Sequence, residues 1–186
     1  MPFSKHAALL RGIAQRSIEQ GLDGRGPLSA DEIDLGGLPG SLSQRRATFT
    51  TLMLDGRLRG CMGSLEARNP LAVDVAGSAY GAAFNDSRFS RLDRQEYPRI
   101  QLHISILTPP EPISFADEEE LLSLMRPGLD GIVLRAPGHS ATYLPSVWES
   151  LPEPADFLGE LKLKAGLERA YWSAEMEVLR YGVEEI

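Results

Sequence analysis

The sequence predicts an α+β fold with a mainly antiparallel sheet flanked by helices, and three observations predict it. Asp55-Gly56 separates two runs of strand-like alternation, and a two-residue Asp-Gly loop is a strong hairpin signal because both positions take φ > 0. A second hairpin is legible in Gly131–Leu134 and Thr142–Leu144, turned at Pro137-Gly138-His139. Strands and helices are mixed without the regular βαβ rhythm of a parallel sheet.

The elements follow in order. Ser4 is positioned to cap a helix through about Gln20, with Leu10, Ile13, Ala14 and Ile18 forming an apolar stripe at helical spacing and Gly21 as its stop. Residues 21–46 are rich in Gly, Pro and acids and predict a long irregular connection, either wrapped on the surface or acting as a flap. Asn69-Pro70 is a helix start, followed by an alanine- and glycine-rich helix over about Leu71 to Phe84. Ile100, Leu102, Ile104 and Ile106 alternate with polar residues, as in a half-buried strand. Stiff Pro109-Pro110 then leads to a short acidic helix, Glu118 to Met125. Ser146-Val147-Trp148-Glu149 has capping-box spacing, a helix follows over about Ala155 to Ala165, and Met176–Val183 is the last strand.

The first hairpin, Thr48–Met62, is the stretch that the rest of the chain presents. A tight turn would pair Leu54 with Arg57, Met53 with Leu58, Leu52 with Arg59, Thr50 with Cys61 and Phe49 with Met62. Phe49, Met53, Leu58 and Met62 would then share a core face, while Arg57, Arg59 and Cys61 share the other. A bulge between Arg59 and Cys61 would undo this, and the flanking glycines permit one.

The chain has 186 residues, 42% of them hydrophobic and 24% charged, which is enough for a sizeable core in one soluble domain. A net charge of −7 argues against nucleic-acid binding, which relies on a basic surface. One cysteine excludes an internal disulfide and a multi-cysteine zinc site, and His6, His103 and His139 lack metal-ligand spacing. No apolar run reaches the ~20 residues of a membrane span, and no signal peptide is read at the start, so a cytoplasmic location is expected.

Leu58-Arg59-Gly60-Cys61-Met62-Gly63, then Asp86-Ser87-Arg88-Phe89, then Ile104-Ser105-Ile106-Leu107-Thr108-Pro109-Pro110-Glu111-Pro112-Ile113 resemble the AMMECR-type domain family. Its bacterial and archaeal members are known as AmmeMemoRadiSam system protein A. Phe157-Leu158, Lys164-Ala165-Gly166-Leu167 and Trp172 are similar to the family's tail. Three departures stand out: Met62 for the usual isoleucine, Ser87 for the usual proline, and Lys162 for a cysteine common in relatives. The last leaves Cys61 as the only thiol.

The resemblance implies one domain over residues 1–186 with two lobes, the smaller, α/β lobe drawn from parts of about 21–47 and 115–170. The motif residues are expected to line a cleft between the lobes. It also implies the company of a Memo-like dioxygenase-family protein and a radical-SAM protein, but no settled reaction and no named cofactor.

Cys61 is the candidate nucleophile, since a thiolate is the reactive form and a guanidinium at Arg59 would favour it. The competing reading is a small apolar thiol filling a tight place between glycines. Arg59 either holds an anionic ligand or pairs with Glu66 or Asp86. Glu66 is a candidate general acid or base on proximity alone. Gly60, Gly63, Asp86 and Arg88 complete the candidate ligand site, although Asp86 and Arg88 also read as a turn with its own salt bridge. Two functions are expected from this: a small-molecule or anionic-ligand site, with a thiol-dependent enzyme as its catalytic form, or a non-catalytic accessory protein for the Memo-like and radical-SAM partners.

Overall fold

A computed structural model of the chain describes residues 3–186. Its strands are β1 (Thr48–Leu54), β2 (Arg57–Gly63), β3 (Ile100–Leu107), β4 (Glu111–Pro112), β5 (Gly131–Ala136), β6 (His139–Tyr143), β7 (Glu177–Tyr181) and β8 (Val183–Glu185). Its helices are α1 (Ala7–Leu22), α2 (Ala30–Ile33), α3 (Leu71–Phe84), α4 (Glu118–Leu124) and α5 (Pro154–Lys164). The strands form two four-stranded antiparallel sheets, ordered β2-β1-β3-β8 and β4-β7-β5-β6, so the α+β expectation holds. Two compact units result: one runs to Leu107 and regains Glu184–Ile186, and the other is Thr108–Val183.

In the first unit, α1 and α3 share a core with one face of the sheet. The predicted stripe of Leu10, Ile13, Ala14 and Ile18 is buried. The helix, however, begins after a 3-10 turn at Phe3–His6, and Ser4 does not cap it; the Ser4 N–H donates to Glu184 instead. Nor does Gly21 stop it. A Cβ on Gly21 would lie 2.1 Å from Cε2 of Phe84, so this glycine lets α1 approach α3, and the helix runs one residue further.

Residues 21–47, expected partly in the smaller lobe, pack within the first unit. Ser29 and Glu32 form a capping box that opens α2, and Leu28, Ile33 and Leu42 are buried in the α1–α3 core. Three well-spaced apolar residues suffice to fasten a segment whose glycines and prolines look like a loop. The Ser17 hydroxyl adds a fixed point, accepting the Leu28 N–H at 3.2 Å while donating to the Ala76 carbonyl at 2.8 Å.

The face of the first hairpin that enters the core is the opposite of the expected one. Thr48, Thr50 and Leu52 are fully buried beneath α3, opposite Ile106, Ile104 and Leu102 on β3, whereas Leu58 is exposed on the other face; Met62, opposite Thr50, keeps the α3 side, where a Cβ on Gly81 would lie 3.1 Å from its own. The threonines are tolerated there because α3 supplies polar partners. Asp74 accepts both the N–H and the hydroxyl of Thr48, at 2.9 and 2.7 Å, and the Ser78 hydroxyl lies 3.1 Å from that of Thr48 and 2.8 Å from that of Thr50. Burial pushes the Asp74 carboxyl up, against the hydrogen bonds that Thr48 and Asn69 give it.

In the second unit, α4 and α5 cover the sheet, and Trp148 stacks on Phe157 with ring centroids 3.8 Å apart. The predicted hairpin is present, with Gly138 at φ 76° in its turn. Ser146–Glu149 lies in a 3-10 turn, Pro145–Glu149, without the capping-box bonds. Lys162 is fully buried and donates to Glu118 at 2.8 Å and to the Arg169 carbonyl at 3.2 Å, tying α5 to the start of α4. The single terminal strand expected from sequence is two strands: β7 belongs to the second sheet and β8, past Gly182, to the first.

Candidate functional site

The geometry of the motif is set by the turn and one bulge. Asp55 (φ 50°) and Gly56 (φ 78°) make the predicted two-residue loop, and Leu54↔Arg57 and Met53↔Leu58 pair as expected. The next partners are Leu52↔Gly60, Thr51↔Cys61, Thr50↔Met62 and Phe49↔Gly63, so Arg59 is the extra residue of a bulge. This corrects the pairs Leu52–Arg59, Thr50–Cys61 and Phe49–Met62. The bulge places Arg59 and Gly60 together on the helix side and returns Cys61 to the opposite, open face. The guanidinium of Arg59 and the sulfur of Cys61 therefore do not share a face.

Arg59 is turned toward the segment before β3. Its Nε and Nη2 donate to the two carboxylate oxygens of Glu96 at 2.8 and 2.7 Å, and its guanidinium lies 5.9 Å from the Phe89 ring. Its partner is thus Glu96, not Glu66 or Asp86. The side chain is only 9% exposed, and its Nη1 is buried without an acceptor. Hydrogen bonding between the pair raises the Arg59 guanidinium above its ordinary value and holds Glu96 below its own, against the desolvation of each. Gly60 is needed because a Cβ there would lie 2.0 Å from the Ala82 carbonyl oxygen of α3. Gly63 is equally hemmed in, with the Thr48 carbonyl oxygen 2.2 Å from where its Cβ would stand.

Cys61 sits on an edge strand that is clamped at this residue. The Ser64 N–H donates to the Thr48 carbonyl, which by antiparallel alternation points the main-chain groups of Cys61 and Gly63 away from β1. Asp86 accepts the outward N–H of Cys61 at 2.9 Å. The same carboxylate accepts the N–H, Nε and Nη2 of Arg88, at 3.1, 2.9 and 2.7 Å, so the predicted turn with its own salt bridge is also a strand clamp. Arg88, with help from the Cys61 and Arg88 N–H groups, holds the Asp86 carboxyl well below the usual carboxylate range despite its burial. The guanidinium of Arg88 is 57% exposed and passes over Phe89 at 5.5 Å. Asp86 raises it above its ordinary value, and Cys61 lies close enough to act on it electrostatically. The Cys61 N–H and Nη2 of Arg88 share Oδ2 of Asp86, so Arg88 is the guanidinium tied to the strand at Cys61.

On the open face, the Thr51 hydroxyl donates to Sγ of Cys61 at 3.3 Å. Thr51 is also directly opposite His103 on β3. Cross-strand neighbours stand about 5 Å apart at Cβ, so thiol, hydroxyl and imidazole make a row of roughly 10 Å across three strands. Thr51 and Glu96 were not singled out from sequence: Thr51 takes its place only once the bulge fixes the register, and Glu96 carries no local signal. Glu66 lies beyond β2, exposed and paired with Arg68. His139 is exposed, with its Nδ1 2.8 Å from the Ala165 carbonyl oxygen. Among the described residues no three His, Cys, Asp or Glu side chains are grouped to hold a metal ion, and no helix is long and apolar enough to cross a membrane.

A bulged RGC hairpin pressed onto a small-residue helix, in a two-sheet α+β chain, defines the class: a thiol-bearing motif domain with its cysteine on a clamped edge strand. The chain belongs to the AMMECR1 family, which it matches over residues 12–186. It is 33% identical to a protein of Methanothermobacter thermautotrophicus over 91% of this chain and 87% of that one. It is 32% identical to Protein NEQ441 of Nanoarchaeum equitans, over 88% and 89%. Among solved structures it is similar to uncharacterized protein PH0010 from Pyrococcus horikoshii, with a TM-score of 0.83 and 28% identity over 95% of this chain and 88% of that one.

Proposed function

We propose that the protein is a small-molecule-processing domain that uses Cys61 as a nucleophile and selects substrates carrying a carboxylate or another small anion. The observation that carries this reading is the row Cys61–Thr51–His103, in which a hydroxyl donates to the sulfur at 3.3 Å. The hydroxyl fixes the sulfur on the open face, where as the thiolate it is the attacking form. The thiol proton of Cys61 leaves to solvent, and the sulfur bonds to an electrophilic carbon of the substrate as its leaving group departs, while the Thr51 hydroxyl holds the sulfur in place. Arg88, exposed and held in place by Asp86, binds the substrate's anionic group. Arg59 and Gly60 shape the hairpin that presents the thiol, and Glu66 is given no part.

The test uses the fact that Cys61 is the only cysteine, so a mass shift reports on one atom. Native protein treated with iodoacetamide is expected to be labelled at Cys61 faster than a free thiol of glutathione, with the advantage lost in Thr51→Val. A Cys61 that stays unlabelled until the chain is denatured would end the nucleophile reading.

A second reading is favoured by one observation: Leu58 and Met62, on edge strand β2, are 41% and 36% exposed. Exposed large apolar side chains beside outward main-chain groups suit docking on a Memo-like or radical-SAM partner. Retention of cellular activity by Cys61→Ala, with its loss in Leu58→Asp, would select this accessory role over catalysis.

A further inference from the structure

The other edge of the first sheet carries a second feature, which shares only His103 with the thiol's row. The Leu107 N–H donates to the Ala47 carbonyl, so alternation along β3 turns the main-chain groups of Ile104, Leu102 and Ile100 away from β1. Ile104 exchanges both its bonds with Ile186 at the end of β8, at 3.0 and 2.9 Å. Beyond that point Leu102 and Ile100 face a groove of about 510 Å³ between β3 and α1, lined by Arg11, Gln15, Tyr97, Pro98, Leu102 and His103 among others. The Leu102 carbonyl is taken up by Nη1 of Arg11 at 2.9 Å, a side chain in place of a strand.

The charge of this groove runs against that of the chain. The protein carries 26 acidic and 19 basic residues, yet no carboxylate is among the residues lining the groove, while Arg11 is. Glu19, further along α1, is held by the Tyr97 hydroxyl at 2.8 Å. An unpaired strand edge recognises an extended peptide by main-chain hydrogen bonds, and flanking side chains set its preference.

We propose that this groove receives an extended acidic peptide segment of a partner protein, added as a strand antiparallel to β3 over Ile100–His103. The added strand takes over the Leu102 carbonyl and supplies an acceptor to the Leu102 N–H. Arg11, released from that carbonyl, meets an aspartate or glutamate of the peptide in a charge-assisted pair. Four residues of contact span about 13 Å at roughly 3.3 Å per residue, which is the reach of a short linear motif and not of a folded interface.

The experiment is an array of blocked hexapeptides, with Asp or Glu stepped through every position, probed with the full chain. The tightest binders are then titrated into ¹⁵N-labelled protein. The expected result is that acidic peptides bind, that the amides of Leu102 and Gln101 move, and that alternate N-methylation of the peptide abolishes binding. Arg11→Gln should weaken binding about tenfold, and replacing the peptide's acid by lysine should do the same. If Arg11→Gln does not fold, Arg11→Lys, which keeps the charge and loses the fork, and the loss of affinity between low and high salt replace it as the test of charge. The proposal is overturned if no acidic hexapeptide binds, if bound peptides leave the Leu102 amide unmoved, or if Arg11→Gln binds them unchanged. It is equally overturned if the chain sediments as a dimer whose Leu102 amide is already protected and whose association no peptide displaces, because the edge would then be covered by a second copy.

Discussion

The two faces of β2 are one residue apart and obey different rules. On the helix side, Gly60 lies so close to the Ala82 carbonyl that no side chain fits, and Arg59 is locked to Glu96. On the open side, Cys61 is half-buried, accepts the Thr51 hydroxyl at its sulfur and shares Asp86 with the exposed Arg88 through its N–H. Packing explains the first face completely and does not require the second. A residue type that packing does not demand, placed beside a cation, a hydroxyl and an imidazole, is where chemistry is to be sought.

The largest effect that tests this contrast is Gly60→Ala. Its Cβ would meet backbone, which cannot give way as a side chain can, so the loss is expected to reach about 3 kcal/mol in urea denaturation. Gly77→Ala is the control, since its Cβ would meet open space; it should stabilise by about 0.5–1 kcal/mol through helix propensity. Equal losses at both glycines would remove the packing account of the motif.

Next comes Arg59→Met, which leaves the Glu96 carboxylate partly buried without its partner. A fully enclosed pair would cost more, but Glu96 is 23% exposed, so about 2 kcal/mol is expected, with native labelling of Cys61 unchanged. A large fall in thiol reactivity would instead restore Arg59 to the site.

Asp86→Asn should cost about 1.5 kcal/mol at pH 7. The carboxyl is held low in the folded chain, so its contribution is present above the ordinary carboxylate value near 4 and is lost as the pH falls through the folded value. The gap between wild type and variant should therefore close on acidification below about pH 4. Arg88→Gln, at an exposed site, should change stability by less than about 1 kcal/mol. Its effect belongs to reactivity.

Much of the fold was legible in the sequence. Asp55-Gly56 gave the turn and the alternation of Ile100 to Ile106 gave β3, because each rests on a local preference; Asn69-Pro70 marked the start of α3, but Pro70 and not Asn69 is its N-cap, and no side chain caps it. The core face of the hairpin was not legible, because buried Thr48 and Thr50 look polar until Asp74 and Ser78 of α3 are brought to them. Residues 21–47 hid their order for a related reason: Leu28, Ile33 and Leu42 find their core only in three dimensions. At the site, a bulge between Arg59 and Cys61 was foreseen as a possibility, and that is where it lies; the partners it gives Arg59 were not foreseen. One extra residue on β2 moved Arg59 away from Cys61, whose N–H is tied instead through Asp86 to Arg88. The salt bridge within Asp86-Ser87-Arg88 was readable at short range; its grip on the Cys61 N–H was not.

The most direct test of the thiol site compares two alkylating reagents that differ only in charge. Native wild-type protein should react with iodoacetate faster, relative to iodoacetamide, than a solvent-exposed model thiol does, and Arg88→Gln should bring that ratio down to the model value while Arg59→Met leaves it high. A ratio no greater than that of the model thiol, or one that Arg88→Gln does not change, would contradict the assignment of Arg88 and Cys61 to a common anion-binding site.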